Sequence, residues 1–198
     1  MRKKLEKRLS QTADVRWIVG ICNSFDVIGD IAIVKLIDAS KTQAKIAAEA
    51  IMKCNKGIRT VLAQTSKISG EYRLRNLTCI GGEDKTYTVH KEHGCFFTVD
   101  LKKCCFSPRL SGERLRIAQL VKAQETVINM FAGVGCFSII IARRIPTAKV
   151  FSIDINPDAV GLMQKNIRIN RVFGKVIPMV GDSKLIVDIT LQTPLIEF

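Results

Sequence analysis

The stretch "TVINMFAGVGCFSIIIA", Thr126 to Ala142, decides how the second half of this chain folds. A β-prone run, Thr126-Val127-Ile128, meets Phe131-Ala132-Gly133-Val134-Gly135, and an apolar helical pattern starts at once. Two glycines between a strand and a helix signal that something bulky and polar approaches the backbone there. Downstream the rhythm is strand–helix alternation, with strand 126–130, helix 135–144, strand 149–154, helix 157–170 and strand 176–180 predicted. Asn156 reads as an N-cap and Pro157 as the first helical residue, both favourable starts. A βαβαβ order predicts a parallel sheet, so the fold class is α/β, Rossmann-like.

The carboxyl edge of that sheet narrows the ligand. Gly133-x-Gly135-x-x-Ser138 departs from the dinucleotide fingerprint at its third glycine. The next strand ends in Asp154, where a carboxylate can accept both hydroxyls of a ribose. The third strand ends in Gly181-Asp182. In a doubly wound sheet these positions lie side by side at the strand ends, where ligands bind. Acids after the second and third strands fit a nucleoside without a pyrophosphate, which suits S-adenosyl-L-methionine better than NAD. The alternative is that Asp154 and Asp182 cap the helices that follow. Asn156 is the better cap in the first case, so capping is the stronger alternative at Asp182.

Upstream, residues 17–36 read as strand, Gly29-Asp30 turn, strand, with Ile31, Ile33 and Lys35 alternating against Ala32, Val34 and Leu36. Ser40-Lys41-Thr42-Gln43 is a capping-box pattern, and Ala44, Ala47, Ala48 and Ile51 form a stripe ending at Asn55-Lys56-Gly57. Strand-like runs follow at 59–64, 71–80, 86–91 and 95–101, and a helix at 113–123 after Ser111-Gly112. The domains predicted are a basic helix over 1–16, an α+β module over 17–106, and an α/β domain over 107–198.

Charge separates the same regions. Of 31 Lys and Arg and 18 Asp and Glu, residues 1–125 hold 23 and 13, a net +10, and residues 126–198 hold 8 and 5, a net +3. A polyanion is the natural partner of such a surface, and nucleic acid is the commonest one. Seven cysteines without a C-x-x-C pair point to reduced thiols and a cytoplasmic protein. His90, His93 and Cys95 raise the question of zinc, but Lys91-Glu92-His93-Gly94 reads as a hairpin turn and no second ligand pair stands at a usual spacing. No metal is therefore expected. The start, "MRKKLEKRLS", lacks the apolar core of a signal peptide, and the apolar run from Met130 to Ala142 is too short for a membrane span.

Together, "NMFAGVGCFSI", "SIDINPDAV", "CFSPRLSGERLRIA", "GEYRLRNL" and "SFDVIGDIAIV" resemble the archaeal and eukaryotic tRNA (guanine(37)-N1)-methyltransferases, from about Phe25 to Asp182. The resemblance implies a class I methyltransferase using S-adenosyl-L-methionine, preceded by a module that contacts RNA, with the anticodon stem-loop of tRNA as partner. Glu113 matches the family's general base, and Arg73 the arginine that steadies the guanine. Arg114, Phe131, Gly133, Gly135, Asp154, Ile155, Asp182 and Ser183 match its cofactor pocket. The chemistry agrees: guanine N1 carries a proton that must leave as a methyl group arrives, a carboxylate can take it, and a cation near O6 steadies the charge left behind. Read without the family, Glu113 is a first-turn acid that complements the helix dipole.

The sequence also departs from that pattern. Asn129 stands where the family usually has Asp, and Cys105 where it often has an aromatic residue. An Asn-x-Pro motif is expected on the next strand, yet "LIVDITLQTPLIEF" contains none, so a shortened or diverged gene product is expected. Two other readings stay open. One is a tRNA-binding protein of this family without catalysis. The other is the related transferase that moves the aminocarboxypropyl group in wybutosine synthesis.

Overall fold

The structure, a computed structural model, describes residues 25–36, 40–65 and 70–192. The helix predicted over 1–16 and the start of the 17–36 run lie outside the described residues. The described residues form two compact units. The first runs to His90 and includes Asp100–Lys102; the second comprises Lys91–Val99 and everything from Lys103 onward.

In the first unit, strands β1 (Phe25–Ile28), β2 (Ile31–Lys35), β3 (Thr60–Gln64) and β4 (Leu77–Gly82) lie side by side in that order, and helix α1 (Lys41–Cys54) connects β2 to β3. The β2–β3 pair is parallel and its neighbours are antiparallel. The capping box starts α1 as the sequence predicts: Gln43 N–H donates to Ser40 Oγ at 3.2 Å, and Ser40 N–H to Gln43 Oε1 at 2.9 Å. Ala48 and Ile51 of this helix pack with Ala32, Val34, Ile58 and Val61.

Two expectations fail here for local reasons. Ile31 through Val34 are all buried, so β2 does not alternate; an interior strand covered on both faces reads as a continuous apolar run. Residues 71–76 form no strand, because Arg73 N–H closes a turn onto Gly70 O at 3.1 Å and Arg73 takes a positive φ of 54°. Left-handed backbone cannot continue an extended ladder, so before Leu77 there is only an isolated bridge at Leu74 and the bond from Thr65 N–H to Asn76 O at 3.0 Å, and the strand starts at Leu77.

Hairpin β5 (Tyr87–Glu92) and β6 (Cys95–Asp100) turns at His93-Gly94, both at positive φ, which is the two-residue turn whose twist matches paired strands. Its tip belongs to the second unit. A short 3-10 turn at Pro108–Leu110 then leads into α2 (Ser111–Leu120). This helix starts and ends before the predicted 113–123, with Val121 already extended. Strands β7 (Thr126–Asn129), β8 (Lys149–Asp154) and β9 (Val176–Val180) follow, joined through α3 (Cys136–Arg144) and α4 (Pro157–Ile169). Helix α5 (Ser183–Gln192) comes last. The three strands are parallel in the order β7-β8-β9, which is the predicted βαβαβ arrangement. Ile139, Ile140, Val150, Ile153, Val160 and Met163 are buried in its core. Among the described residues no helix is long and apolar enough to cross a membrane.

Candidate active site

The carboxyl ends of the three strands meet around Asp154. Ala132 N–H donates to Ile153 O at 2.9 Å, and Gly181 N–H to Asp154 O at 3.0 Å, joining both neighbours to the end of β8. The Asp154 side chain adds two more bonds: Oδ2 accepts from Gly133 N–H at 2.6 Å and Oδ1 from Asn156 N–H at 2.9 Å. A carboxylate offers about four acceptor sites, so lone pairs remain for a ligand's hydroxyls. Capping of α4 falls to Asn156, whose Oδ1 accepts from Asp158 N–H at 3.0 Å.

The two glycines differ in their reasons. A Cβ on Gly133 would meet nothing nearer than Cys105 O at 4.0 Å, so one side of this residue is open. On Gly135 a Cβ would fall 2.7 Å from Met163 Cγ, and its φ of 89° is left-handed. Gly135 is therefore a packing glycine between α3 and α4, and Gly133 is the one a ligand can approach.

Around this loop, Phe131 is 81% exposed and Ile155 is exposed too. Asp182 Oδ1 accepts from Lys184 N–H at 2.9 Å, so this acid does cap α5, with one oxygen. Ser183 beside it is buried. Asn129 ends β7 in a polar chain: its Nδ2 donates to Ser138 Oγ at 3.0 Å, and Ser152 Oγ donates to the same oxygen at 2.7 Å. Its Oδ1 accepts from Phe131 N–H at 3.3 Å. An aspartate could not donate to Ser138, which is how the amide suits these neighbours.

Glu113 and Arg114 stand on α2 with opposite surroundings. Glu113 is exposed and holds Arg116 through both oxygens, at 2.7 and 2.8 Å. The Arg116 guanidinium keeps the Glu113 carboxyl below its ordinary range. Arg114 is buried. Its Nη1 lies 2.9 Å from both oxygens of Glu92, and its Nη2 donates to Ser107 O at 3.0 Å. The guanidinium also stacks near the rings of Phe106 and Phe137. Its Nε is buried without an acceptor among the described residues. His93 Nε2 lies 2.8 Å from Ser111 O and 2.9 Å from Ser111 Oγ, fastening the hairpin tip to the first turn of α2. Arg73 belongs to the first unit, where it is exposed and makes no ion pair with a described residue.

Sequence reasoning missed Glu92, Asn166 and Asn170. Glu92 was counted within a turn, yet it is the buried partner of Arg114. Asn166 and Asn170 sit one helical turn apart on the face of α4 that also carries Met163 and Ile167. Polar residues on an apolar stripe were the available signal.

Parallel strands with an open glycine loop and acids at their carboxyl ends define an α/β domain of the class that takes its ligands at that edge. The chain belongs to the TRM5/TYW2 methyltransferase family, whose methyltransferase domain matches residues 88–193. Residues 2–86 match the TYW2 N-terminal domain. The tRNA (guanine(37)-N(1))-methyltransferase Trm5b of Pyrococcus abyssi is 44% identical over 161 residues, which are 81% of this chain and 48% of that protein. The tRNA(Phe) (4-demethylwyosine(37)-C(7)) aminocarboxypropyltransferase of Methanocaldococcus jannaschii is 34% identical over 160 residues, 81% of this chain and 61% of that protein. Among solved structures, the complex of aTrm5 with tRNALeu superposes with a TM-score of 0.76 at 38% identity, covering 91% of this chain and 51% of that one. The chain spans about half the length of the curated methyltransferases it matches.

Proposed function

We propose that this chain acts as an S-adenosyl-L-methionine-dependent tRNA (guanine(37)-N1)-methyltransferase, with the anticodon stem-loop as its substrate. Residues 17–106 serve as the tRNA-contacting module and 107–198 as the cofactor domain. The observation that carries the reading is the Gly133–Asp154 bond beside the open side of Gly133, in a member of this family. The residues present fit a nucleoside: Asp154 keeps acceptor capacity for ribose hydroxyls, and Asp182 has an oxygen beyond the one that caps α5. Ile155, Ser183 and Phe131 border the same strand ends. Arg114, which the resemblance places in the cofactor pocket, spends three of its five N–H donors on Glu92 and Ser107 and so is held rigidly beside the loop. S-adenosyl-L-methionine supplies an electrophilic methyl group when bound.

The protein's own part in the reaction is to move a proton and hold charge. Glu113, ionised at neutral pH, takes the N1 proton of guanine once it parts from Arg116. Arg73, exposed and without an ion pair among the described residues, faces guanine O6 and steadies the negative charge that develops there. All described cysteines are free, in keeping with a cytoplasmic protein.

A second reading is favoured by one observation, the match of residues 2–86 to the TYW2 N-terminal domain. It makes the transferred group aminocarboxypropyl instead of methyl. Single-turnover reaction with a tRNA bearing guanosine 3′ of the anticodon separates the two. Release of S-adenosylhomocysteine with 1-methylguanosine in the digest supports methyl transfer. Release of 5′-methylthioadenosine with an enlarged nucleoside in a demethylwyosine tRNA supports the second reading, and no modified nucleoside from either tRNA overturns both.

A further inference from the structure

The second unit is electrically divided along its strands. Asp154, Asp158 and Asp182 stand at the carboxyl ends of β8 and β9 or in the first turn beyond them, while Glu125, just before β7, is an acid at the amino end and accepts there from Lys122 N–H at 2.9 Å. The opposite, amino end of the sheet carries Arg143 and Arg144 at the end of α3, Lys149 at the start of β8, Arg168 in the last turn of α4, and Arg171 and Lys175 in the turn before β9. Backbone bonds from Lys149 N–H to Glu125 O at 3.0 Å and from Val150 N–H to Lys175 O at 2.8 Å show that these ends are adjacent. None of the six cations forms an ion pair with a described residue. Phe173 projects from the same turn, 83% exposed, and Ile169, four residues earlier at the end of α4, is exposed too.

Helix dipoles account for part of this. Cations in the last turns of α3 and α4 complement the carbonyl ends there. Lys149, Arg171 and Lys175 lie outside both helices, and a bare phenylalanine has no dipole to serve. We propose that this amino edge is a second RNA-binding surface, with the cations holding phosphates and Phe173 stacking on an unpaired base. Strands of this length separate it from the glycine loop by about 17 Å, so it is distinct from the cofactor edge. Cations without ion-pair partners among the described residues, interleaved with an exposed aromatic ring, match a polyanion that offers a π-face at every charged unit, which RNA does and a run of Asp and Glu does not. The identity of the natural ligand rests on the tRNA reading; the surface itself rests on charge and exposure.

The test is a salt series of tRNA binding with the wild-type chain, with Arg143→Gln/Arg144→Gln/Arg168→Gln/Arg171→Gln, and with Phe173→Ser. The fourfold variant is expected to lose about ten-fold or more in affinity near 50 mM salt, and its log–log salt slope should shrink by about 2–3. Phe173→Ser, at an exposed site, should lose about five-fold with its slope unchanged. Both should bind S-adenosylhomocysteine as the wild type does, which separates loss of the surface from unfolding. Wild-type affinity and slope in both variants overturn the proposal. If the wild type binds no tRNA, the substrate reading fails instead, and the same comparison is made with single-stranded oligouridylate, where loss in the variants supports the surface and no change overturns it. Equal retention of polyglutamate and oligouridylate, unaffected by Phe173→Ser, overturns RNA in favour of an acidic protein.

Discussion

Thr98 and Asn166 pair through their amide groups as two strands would. Thr98 N–H donates to Asn166 Oδ1 at 2.7 Å, and Asn166 Nδ2 donates back to Thr98 O at 3.1 Å. One turn later Asn170 does the same for Phe96, at 2.8 and 2.7 Å. One side chain of α4 and one at its C-cap thus satisfy a strand edge that would otherwise bury unpaired peptide groups. Asn166 Nδ2 also lies 3.0 Å from Val134 O, so the same amide fastens the glycine loop.

Asn166→Leu keeps the volume and removes the three bonds of the Asn166 side chain. Thr98 N–H, Thr98 O and Val134 O lose their partner in a buried place, at about 1–3 kcal/mol for each group left unsatisfied. We expect a loss of about 3 kcal/mol or more in urea unfolding, together with weaker binding of S-adenosylhomocysteine because the loop is released. A stability within about 0.5 kcal/mol of wild type would mean that these groups find other partners.

Much of the second unit was legible in its sequence. β8 and β9 have their predicted bounds and Asn156 starts its helix, as Ser40 does in the first unit, because periodicity and caps are local signals. Asp154 was legible as well, since strand–helix order alone places the end of β8 among the strand ends. What stayed hidden depends on contacts far apart in the chain. Glu92 and Arg114 are 22 residues apart, and Asn166 and Thr98 are 68 apart. The turn at Gly70–Arg73 was hidden for a different reason: residues 71–76 have strand-like composition, and only the left-handed backbone at Arg73 breaks the run. The charge division escaped the net +3 of residues 126–198, because a sum does not record at which sheet edge a charge stands.

Asp154→Ala tests the cofactor edge. The change removes a charged acceptor worth about 1.5–3 kcal/mol to a bound hydroxyl, or about ten-fold or more in affinity. It also frees Gly133 N–H and Asn156 N–H. Calorimetry should show S-adenosylmethionine binding weakened far more than tRNA binding. Unchanged cofactor affinity in a folded variant would rule out the ribose role.

The pair Glu113–Arg116 sets a pH dependence. Arg116 holds the carboxyl below its ordinary value, so wild-type Glu113 stays ionised into acid solution, and with Glu113 as the proposed general base the rate should fall only as pH drops through that lowered pKa. The pair's small contribution to stability follows the same sign: it is present above the unfolded pKa and lost as pH falls through the folded one. Arg116→Gln lets the pKa of the free protein rise, so the acid limb of the single-turnover profile at subsaturating enzyme, which reports the free protein, should move to higher pH while the neutral plateau persists. Glu113→Gln should lower the plateau itself by about 10²–10⁴-fold, the usual cost of a lost general base. An acid limb that ignores Arg116→Gln would assign it to another group, and a full plateau in Glu113→Gln would return that residue to a helix-start acid.

Thiol labelling reads the open side of Gly133 without any reaction. Cys105 is exposed, and its carbonyl is the nearest atom to the space above that glycine, 4.0 Å from where a Cβ would stand. Cys136, one residue beyond the loop, is buried, and burial pushes its thiol up to about 12. Only thiolates react with iodoacetamide, so at pH 8 Cys136 is protected twice, by access and by protonation. Cys95 is buried as well and its pKa is raised for the same reason. Mass spectrometry of the native chain should therefore find Cys105 alkylated early and Cys95 and Cys136 only after unfolding. Saturating S-adenosylhomocysteine should slow Cys105 alone, because a nucleoside held by Asp154 over Gly133 covers its neighbour. Equal labelling of Cys105 with and without that ligand, under conditions where calorimetry shows binding, would move the cofactor away from Gly133.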